Sequence, residues 1–311
     1  MIKIEGVSKS YGKKEKKYVL NNINLSIPDN EVVALLGHNG SGKSTLIKCL
    51  TGILKPTNGK ISIDNFDTFK YRKKLIRNMG IIFNQKSSFI TDLSVYDNLL
   101  FFKAIYEISD EKFKKMINLI DKYIEIKKLF ENPYRKLSFG ERVKCEITSI
   151  LLHTPKYIIL DEPTIGLDYN AKKGLYQLLA YFKNNLKSTI IIITHEIDYI
   201  ENICDRAIIL NKGQVKYDGK SNVICSSATE KIKVIVKYKY IIDEIKAKHL
   251  LDNATEVNEV KHLIVFDLKD NTQKDKYVKN ITNAFSIEGI STEKVSLREV
   301  FEDVLSETKK C

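Results

Sequence analysis

Glu31-Val32-Val33-Ala34-Leu35-Leu36-Gly37-His38-Asn39-Gly40-Ser41-Gly42-Lys43-Ser44 is the stretch on which the reading of this chain turns. Val32 to Leu36 are all apolar, the pattern of a strand buried on both faces of a parallel sheet. Gly37 to Ser44 fit G-x-x-x-x-G-K-[ST] and open a helix expected from about Lys43 to Thr51. The glycines let the backbone wrap with its N–H groups turned inward. The helix N-terminus adds a partial positive charge. Strand, loop and helix therefore make a cradle for a triphosphate, formed by Gly37, His38, Asn39, Gly40, Ser41, Gly42, Lys43, Ser44 and Thr45. Lys43 is expected to reach the β- and γ-phosphates and Ser44 to ligate Mg²⁺, which prefers oxygen donors. His38 is carried as a loop residue without chemistry of its own.

A second element follows further along. In Tyr157-Ile158-Ile159-Leu160-Asp161-Glu162-Pro163, four strand-forming residues end in two carboxylates. At the C-terminal tip of a buried parallel strand, this pair sits where such sheets hold their ligand. Asp161 is placed to join the Mg²⁺ shell and Glu162 to polarise an attacking water.

Between and around these elements the pattern alternates strand and helix, the mark of an α/β parallel sheet. Short strands are expected at Ile2 to Val7 and Val19 to Ile27, joined by a basic hairpin tip, Gly12 to Lys17. Residues from about Lys86 to Lys136 read as helices. One is expected over Asp110 to Ile126, with Phe113, Met116, Ile117, Ile120 and Tyr123 on one face. Strands return at Tyr157 to Leu160, Thr189 to Ile193 and Ala207 to Leu210, with a helix over Ala171 to Lys183. A serine-rich polar stretch, Ser221 to Thr229, suggests a boundary. Beyond it, Lys231 to Tyr238 and His262 to Leu268 alternate like strands, while Thr272 to Phe285 and Ser296 to Leu305 look helical. The expected organisation is a nucleotide-binding domain over 1–222 with a helical part at about 86–150. A small α+β domain over 229–311 follows it.

The 311 residues carry a net charge of +12 and 43% hydrophobic residues, enough for a real core. No run approaches the ~20 apolar residues of a membrane span, and the first residues lack a signal peptide's apolar region. The expectation is a chain neither secreted nor integral to a membrane. Cys49, Cys145, Cys204, Cys225 and Cys311 form no C-x-x-C pair and read as reduced packing cysteines of a cytoplasmic protein. The positive charge admits nucleic acid, an anionic membrane face or small phosphates.

At this point the chain resembles an ATP-binding-cassette (ABC) ATPase over roughly residues 1–222. Further motifs fall in the right order. Gln85, after Met79 to Phe83, resembles the Q-loop glutamine, which senses metal and nucleotide. Leu137-Ser138-Phe139-Gly140-Glu141 resembles the signature Leu-Ser-Gly-Gly-Gln. It departs from it at Phe139 and Glu141, and keeps Ser138 and Gly140 for a facing nucleotide. Asp168 falls at the D-loop aspartate. His195 resembles the switch histidine that contacts the γ-phosphate. Tyr11 matches the aromatic that stacks on adenine, with Tyr18 as the alternative. Ser138-x-x-Glu141 also forms a capping box, so Glu141 is expected to fold back on its own helix start.

The resemblance implies a P-loop NTPase fold, with a RecA-like core, an antiparallel β-subdomain and a helical subdomain. It also implies binding and hydrolysis of ATP with Mg²⁺, and a head-to-tail dimer, most simply a homodimer. Leu137 to Asp168 and Lys103 to Glu107 look specifically like ABC-2-type exporter ATPases, which work beside a separate membrane permease. That places the chain in the cytoplasm, peripheral on the inner face of the cell membrane. Phe89, Ile90, Leu93, Val95, Tyr96 and Leu99 are candidates for the permease-docking surface, core packing competing for about half of them. An ABC ATPase that regulates a membrane partner which transports nothing is an alternative, as is one that acts on ribosomes or nucleic acid, although one P-loop and no sustained heptads argue against the latter. No interleaving of aromatic and basic residues, as single-strand binders use, is read here.

Overall fold

The structure, a computed structural model, describes residues 1–12, 17–83, 87–194, 203–221, 232–258, 261–268 and 274–294. Its backbone separates into two compact units, Met1–Ser221 and Asn222–Cys311.

The first unit holds two sheets. β1 (Ile2–Tyr11), β2 (Lys17–Ile27), β4 (Asn58–Ile63) and β5 (Phe66–Asp67) pair antiparallel in the order β2-β1-β4-β5. The second sheet has β3 (Val32–Leu36), β6 (Met79–Ile82), β7 (Tyr157–Asp161), β8 (Thr189–Ile193), β9 (Arg206–Asn211) and β10 (Gln214–Lys220). Its order is β10-β9-β3-β8-β7-β6, parallel except for the edge hairpin of β9 and β10. All five residues of β3 and all five of β8 are buried, as a doubly covered parallel sheet requires. α1 (Lys43–Leu50) contributes Leu46, Ile47 and Leu50 to a core shared with both sheets.

Among the described residues three α-helices lie between β6 and β7: α3 (Val95–Ile105), α4 (Asp110–Ile124) and α5 (Phe139–Leu151), while α2 (Arg72–Leu75) is a single turn before β6. Ser94, Ser109 and Ser138 cap the three helices through backbone N–H groups of their first turns. The apolar face of α4 carries Phe113, Met116, Ile117 and Ile120, and Ile124 completes it; Tyr123 is half-buried. α6 (Tyr169–Leu186) crosses from β7 to β8, capped by Asp168.

The second unit runs β11 (Ile232–Ile241), α7 (Glu244–Asp252), β12 (Glu256–Asn258), β13 (Leu263–Leu268), α8 (Lys274–Ala284) and β14 (Phe285–Lys294). Its antiparallel order, β12-β13-β11-β14, is the ferredoxin-like arrangement. α7, β12 and β14 were not legible in the sequence. The expected helix over Ser296 to Leu305 lies outside the described residues, as do the hairpin-tip residues Lys13 to Lys16. Cys49, Cys145 and Cys204 are free and buried; Cys225 and Cys311 are outside the described set.

Candidate functional site

Parallel pairing brings the two sequence elements together. β3 and β7 flank β8 and point the same way, so the loop after β3 and the carboxylates ending β7 share one sheet edge. Between them lies a cleft of about 550 Å³. Asn39 to Thr45 form one wall, and Asp161 and Glu162 face them.

The loop's conformation needs its glycines. Gly37, Gly40 and Gly42 have φ of 149°, 80° and 109°. A Cβ on Gly37 would stand 2.3 Å from the Leu210 carbonyl oxygen and 2.5 Å from Ser41 Oγ. That hydroxyl is buried inside the loop with no hydrogen-bond partner, as expected of a group facing an anion's place. Lys43 Nζ donates to the carbonyls of Gly37 at 2.6 Å and His38 at 3.1 Å, which folds the ammonium over the loop. Burial pulls its pKa below the ordinary lysine value, while the Glu162 and Asp161 carboxylates pull the other way.

Glu162 has φ of 53°, a left-handed conformation that costs a non-glycine residue about 1–2 kcal/mol. Its N–H donates to the Ile193 carbonyl at 2.9 Å, so the end of β8 holds the turn. Ser44, Asp161 and Glu162 present oxygen donors only, which suits a small hard cation shared with phosphate oxygens. Among the described residues there is no cluster of three or more His, Cys, Asp or Glu that could hold a metal alone.

The Ser138–Glu141 capping box read from the sequence is present. Ser138 N–H and its hydroxyl each donate to Glu141 Oε2 at 2.8 Å, and the hydroxyl accepts from Glu141 N–H at 3.4 Å. These bonds hold the Glu141 carboxyl below its usual pKa. Gly140 has a reason inside the chain: a Cβ there would meet the Gly166 carbonyl oxygen at 2.4 Å. Phe139, itself largely exposed, packs its ring against Gly166. Asp168 Oδ1 accepts from the Ala171 N–H at 2.8 Å. A second cleft of about 250 Å³ runs from Asp161 and Glu162 to Phe139 and Arg142.

The structure does not bring every candidate into the first cleft. Tyr11 ends β1, half exposed, with Lys9 Nζ 5.4 Å from its ring centre; neither it nor Tyr18 lines the cleft. Gly37, His38, Ser138, Gly140 and Asp168 do not line it either, although the Gly37 and His38 carbonyls accept from Lys43 Nζ. Gln85 and His195 are outside the described residues. Val19, Lys48, Phe83 and Ile165 line the cleft and were missed. Lys48 had a signal, since it stands four residues after Ser44 on the same helix face. Val19 had none. It arrives because Gly42 and Gly213 pack against β2 with no side chain between.

Comparison with known proteins now bears on this site. The family model described as ABC transporter matches residues 20–165. The energy-coupling factor transporter ATP-binding protein EcfA3 of Clostridium perfringens is 35% identical over 222 residues, 70% of this chain and 77% of that protein. The EcfA protein of Malacoplasma penetrans is 34% identical over 257 residues, 81% of this chain and 88% of the relative. Among solved structures, the dimeric post-hydrolysis state of the ATP-binding cassette MJ0796 bound to ADP and Pi superposes with a TM-score of 0.64 at 30% identity. It covers 71% of this chain and 99% of that one.

Proposed function

The chain belongs to the family of ABC transporter ATP-binding proteins and is an ATPase, and from that premise we propose that it powers a separate membrane permease by ATP-driven dimerisation. The observation that carries the reading is the cleft in which the glycine loop, Lys43 and the β7 carboxylates converge.

In this mechanism the loop's N–H groups and Ser41 Oγ take the β- and γ-phosphates, and Lys43 leaves its two carbonyl partners to reach them. Ser44 and Asp161 would hold Mg²⁺, and Gln85 would sense it. When bound, the ion neutralises developing phosphate charge. Glu162 orients the attacking water and accepts its proton, and its left-handed turn fixes the carboxylate at the strand tip. His195 contacts the γ-phosphate, and Tyr11 offers its exposed ring to adenine. Ser138, Gly140 and Asp168 serve the nucleotide of a second copy. Residues 1–222 act as the cassette, with a helical subdomain at about 86–150, and 229–311 as an accessory domain. The partners are a permease, a second ATPase subunit and the anionic inner membrane face, without nucleic acid.

Of the six docking candidates, half are core residues, the share for which core packing competes in the sequence reading. Phe89, Val95 and Leu99 are buried, Phe89 stacking on Tyr134 at 4.7 Å, whereas Ile90, Leu93 and Tyr96 are exposed. The last three are the docking residues. Export is the direction suggested by the ABC-2-like stretches from Leu137 to Asp168. A second reading, service in an energy-coupling factor assembly, is favoured by the names of the relatives. Among the described residues no helix is long and apolar enough to cross a membrane.

Glu162→Gln tests the mechanism, because it leaves the phosphate cradle intact and removes the proton acceptor. Gel filtration with MgATP should show a trapped dimer, and a protein that stays monomeric at saturating ATP refutes the scheme. Identification of the membrane protein that co-purifies with the tagged chain separates export from energy coupling. Leu93→Glu should abolish that co-purification.

A further inference from the structure

The surface around α2 has a composition that the nucleotide site does not use. From Thr68 to Phe83 there is no Asp or Glu and there are five Lys or Arg. Residues 69–74 and 76–78 are exposed, and only Leu75 turns inward. The carboxylate that precedes the run, Asp67, is turned onto the backbone, accepting from the N–H groups of Phe69 at 3.0 Å and Lys70 at 2.8 Å. The cations of this run make no ion pair among the described residues. Exposed apolar groups stand among them: Phe69 at 46%, Tyr71 at 40% and Ile76 at 37%. The turn at Gly52 packs directly under Thr68 and Arg72, which brings Ile53, 47% exposed, and Lys55 to the same surface. Residues 66–77 thus interleave aromatics and cations, contrary to the sequence expectation that no such stretch is present.

Two polyanions could meet such a surface, and the aliphatic groups among the rings choose between them. Lys74 Nζ lies 3.7 Å from the Phe66 ring centre, Lys70 5.3 Å from Tyr71 and Lys55 5.8 Å from Phe69. Phe66 and Tyr71 also meet edge to face at 5.3 Å. Base stacking uses open ring faces, and here an ammonium stands over one face of each ring. A lipid interface needs ring edges and aliphatic groups that enter the headgroup layer, with cations around them. Ile53 and Ile76 serve that purpose and would add nothing to a nucleic-acid contact.

We propose that Phe69, Tyr71 and Ile76, ringed by Arg72, Lys73 and Lys74, bind the surface of an anionic bilayer directly, without the permease. This deepens the membrane-side part of the proposed function by naming the surface. Each cation near an anionic bilayer contributes about fivefold in affinity, so removing three costs about 100-fold. The attraction weakens as salt rises.

The experiment is co-sedimentation of the full chain with vesicles of mixed phosphatidylserine and phosphatidylcholine, and with phosphatidylcholine alone. Binding to the mixed vesicles only, about 100-fold weaker in Arg72→Gln/Lys73→Gln/Lys74→Gln and weakened also in Phe69→Ser/Tyr71→Ser, supports the proposal. Lys73→Gln/Lys74→Gln, about 25-fold weaker, stands in if the triple variant is unstable. ATPase activity should be unchanged in each. No binding to the mixed vesicles overturns the proposal, and so does equal binding by wild type and variants. Tighter binding to a single-stranded oligothymidylate at the same salt, measured by fluorescence anisotropy, overturns it in favour of nucleic acid. Because the vesicles hold no permease, failure here leaves the permease pairing intact.

Discussion

Gly140→Ala is the substitution for which the structure sets the clearest expectation. The added Cβ would lie 2.4 Å from the Gly166 carbonyl oxygen, about 1 Å inside ordinary van der Waals contact. Both partners are backbone, so no side chain can swing clear. Gly166 itself has φ of 78° and already has the Phe139 ring beside it. The first turn of α5 must therefore move away from the loop that follows Glu162. Overpacking of this kind costs about 1–3 kcal/mol, and replacing a helical glycine by alanine returns about 1 kcal/mol. The net is a loss of about 0–2 kcal/mol, a fall in Tm of a few degrees for a unit of this size. The catalytic effect should be larger, because a shift of about 1 Å in a reacting arrangement costs about 100-fold in rate. Nucleotide binding to the single chain should persist, since Gly140 does not line the phosphate cleft. The assay is differential scanning fluorimetry beside steady-state ATP hydrolysis. A variant with raised Tm and wild-type kcat would show that only helix propensity had changed, and would refute the close approach.

Lys43→Ala should lower MgATP affinity by at least tenfold with little change in Tm, because Nζ bonds only to loop carbonyls here; retained tight binding by equilibrium dialysis contradicts the role given to it. Glu141→Ala removes a capping box worth about 1 kcal/mol. The folded carboxyl has a lowered pKa, so the wild-type advantage should be present above the unfolded glutamate value. It should fade as pH falls through the folded value, and thermal melts across acidic pH check this. His153 is held neutral by burial, its pKa pushed down to about 4, while Nε2 meets the Met79 carbonyl at 3.2 Å and the ring stacks on Tyr106 at 3.9 Å. Stability linked to it should be complete above pH ~6.5, the unfolded value, and be lost progressively as pH drops toward 4. His153→Gln should flatten that part of the melting profile, and an unchanged profile would place the acid sensitivity elsewhere.

Burial explains where sequence reading stopped short. Phe89 and Ile90 are adjacent and equally apolar, yet Phe89 stacks on Tyr134 and Ile90 faces outward. Periodicity in one segment cannot tell a core face from a docking face, because the difference lies in what the other helices bring. The same holds for Val19, which reaches the cleft only through the packing of β2 on Gly42 and Gly213. In the second unit, Phe285 to Lys294 carry no clean alternation, and pairing with β11 makes them a strand.

The sequence by itself determined the phosphate cradle, the carboxylates at the end of β7, the parallel α/β core and the capping box at Ser138. The loop, the carboxylates and the capping box are each written in one contiguous run of residues, and the core in the alternation of strand and helix patterns along the chain. Only the tertiary structure decided which residues complete the cleft, why Gly140 admits no side chain, and which apolar groups stay at the surface. Those depend on distances between segments far apart in the chain, which local composition does not encode.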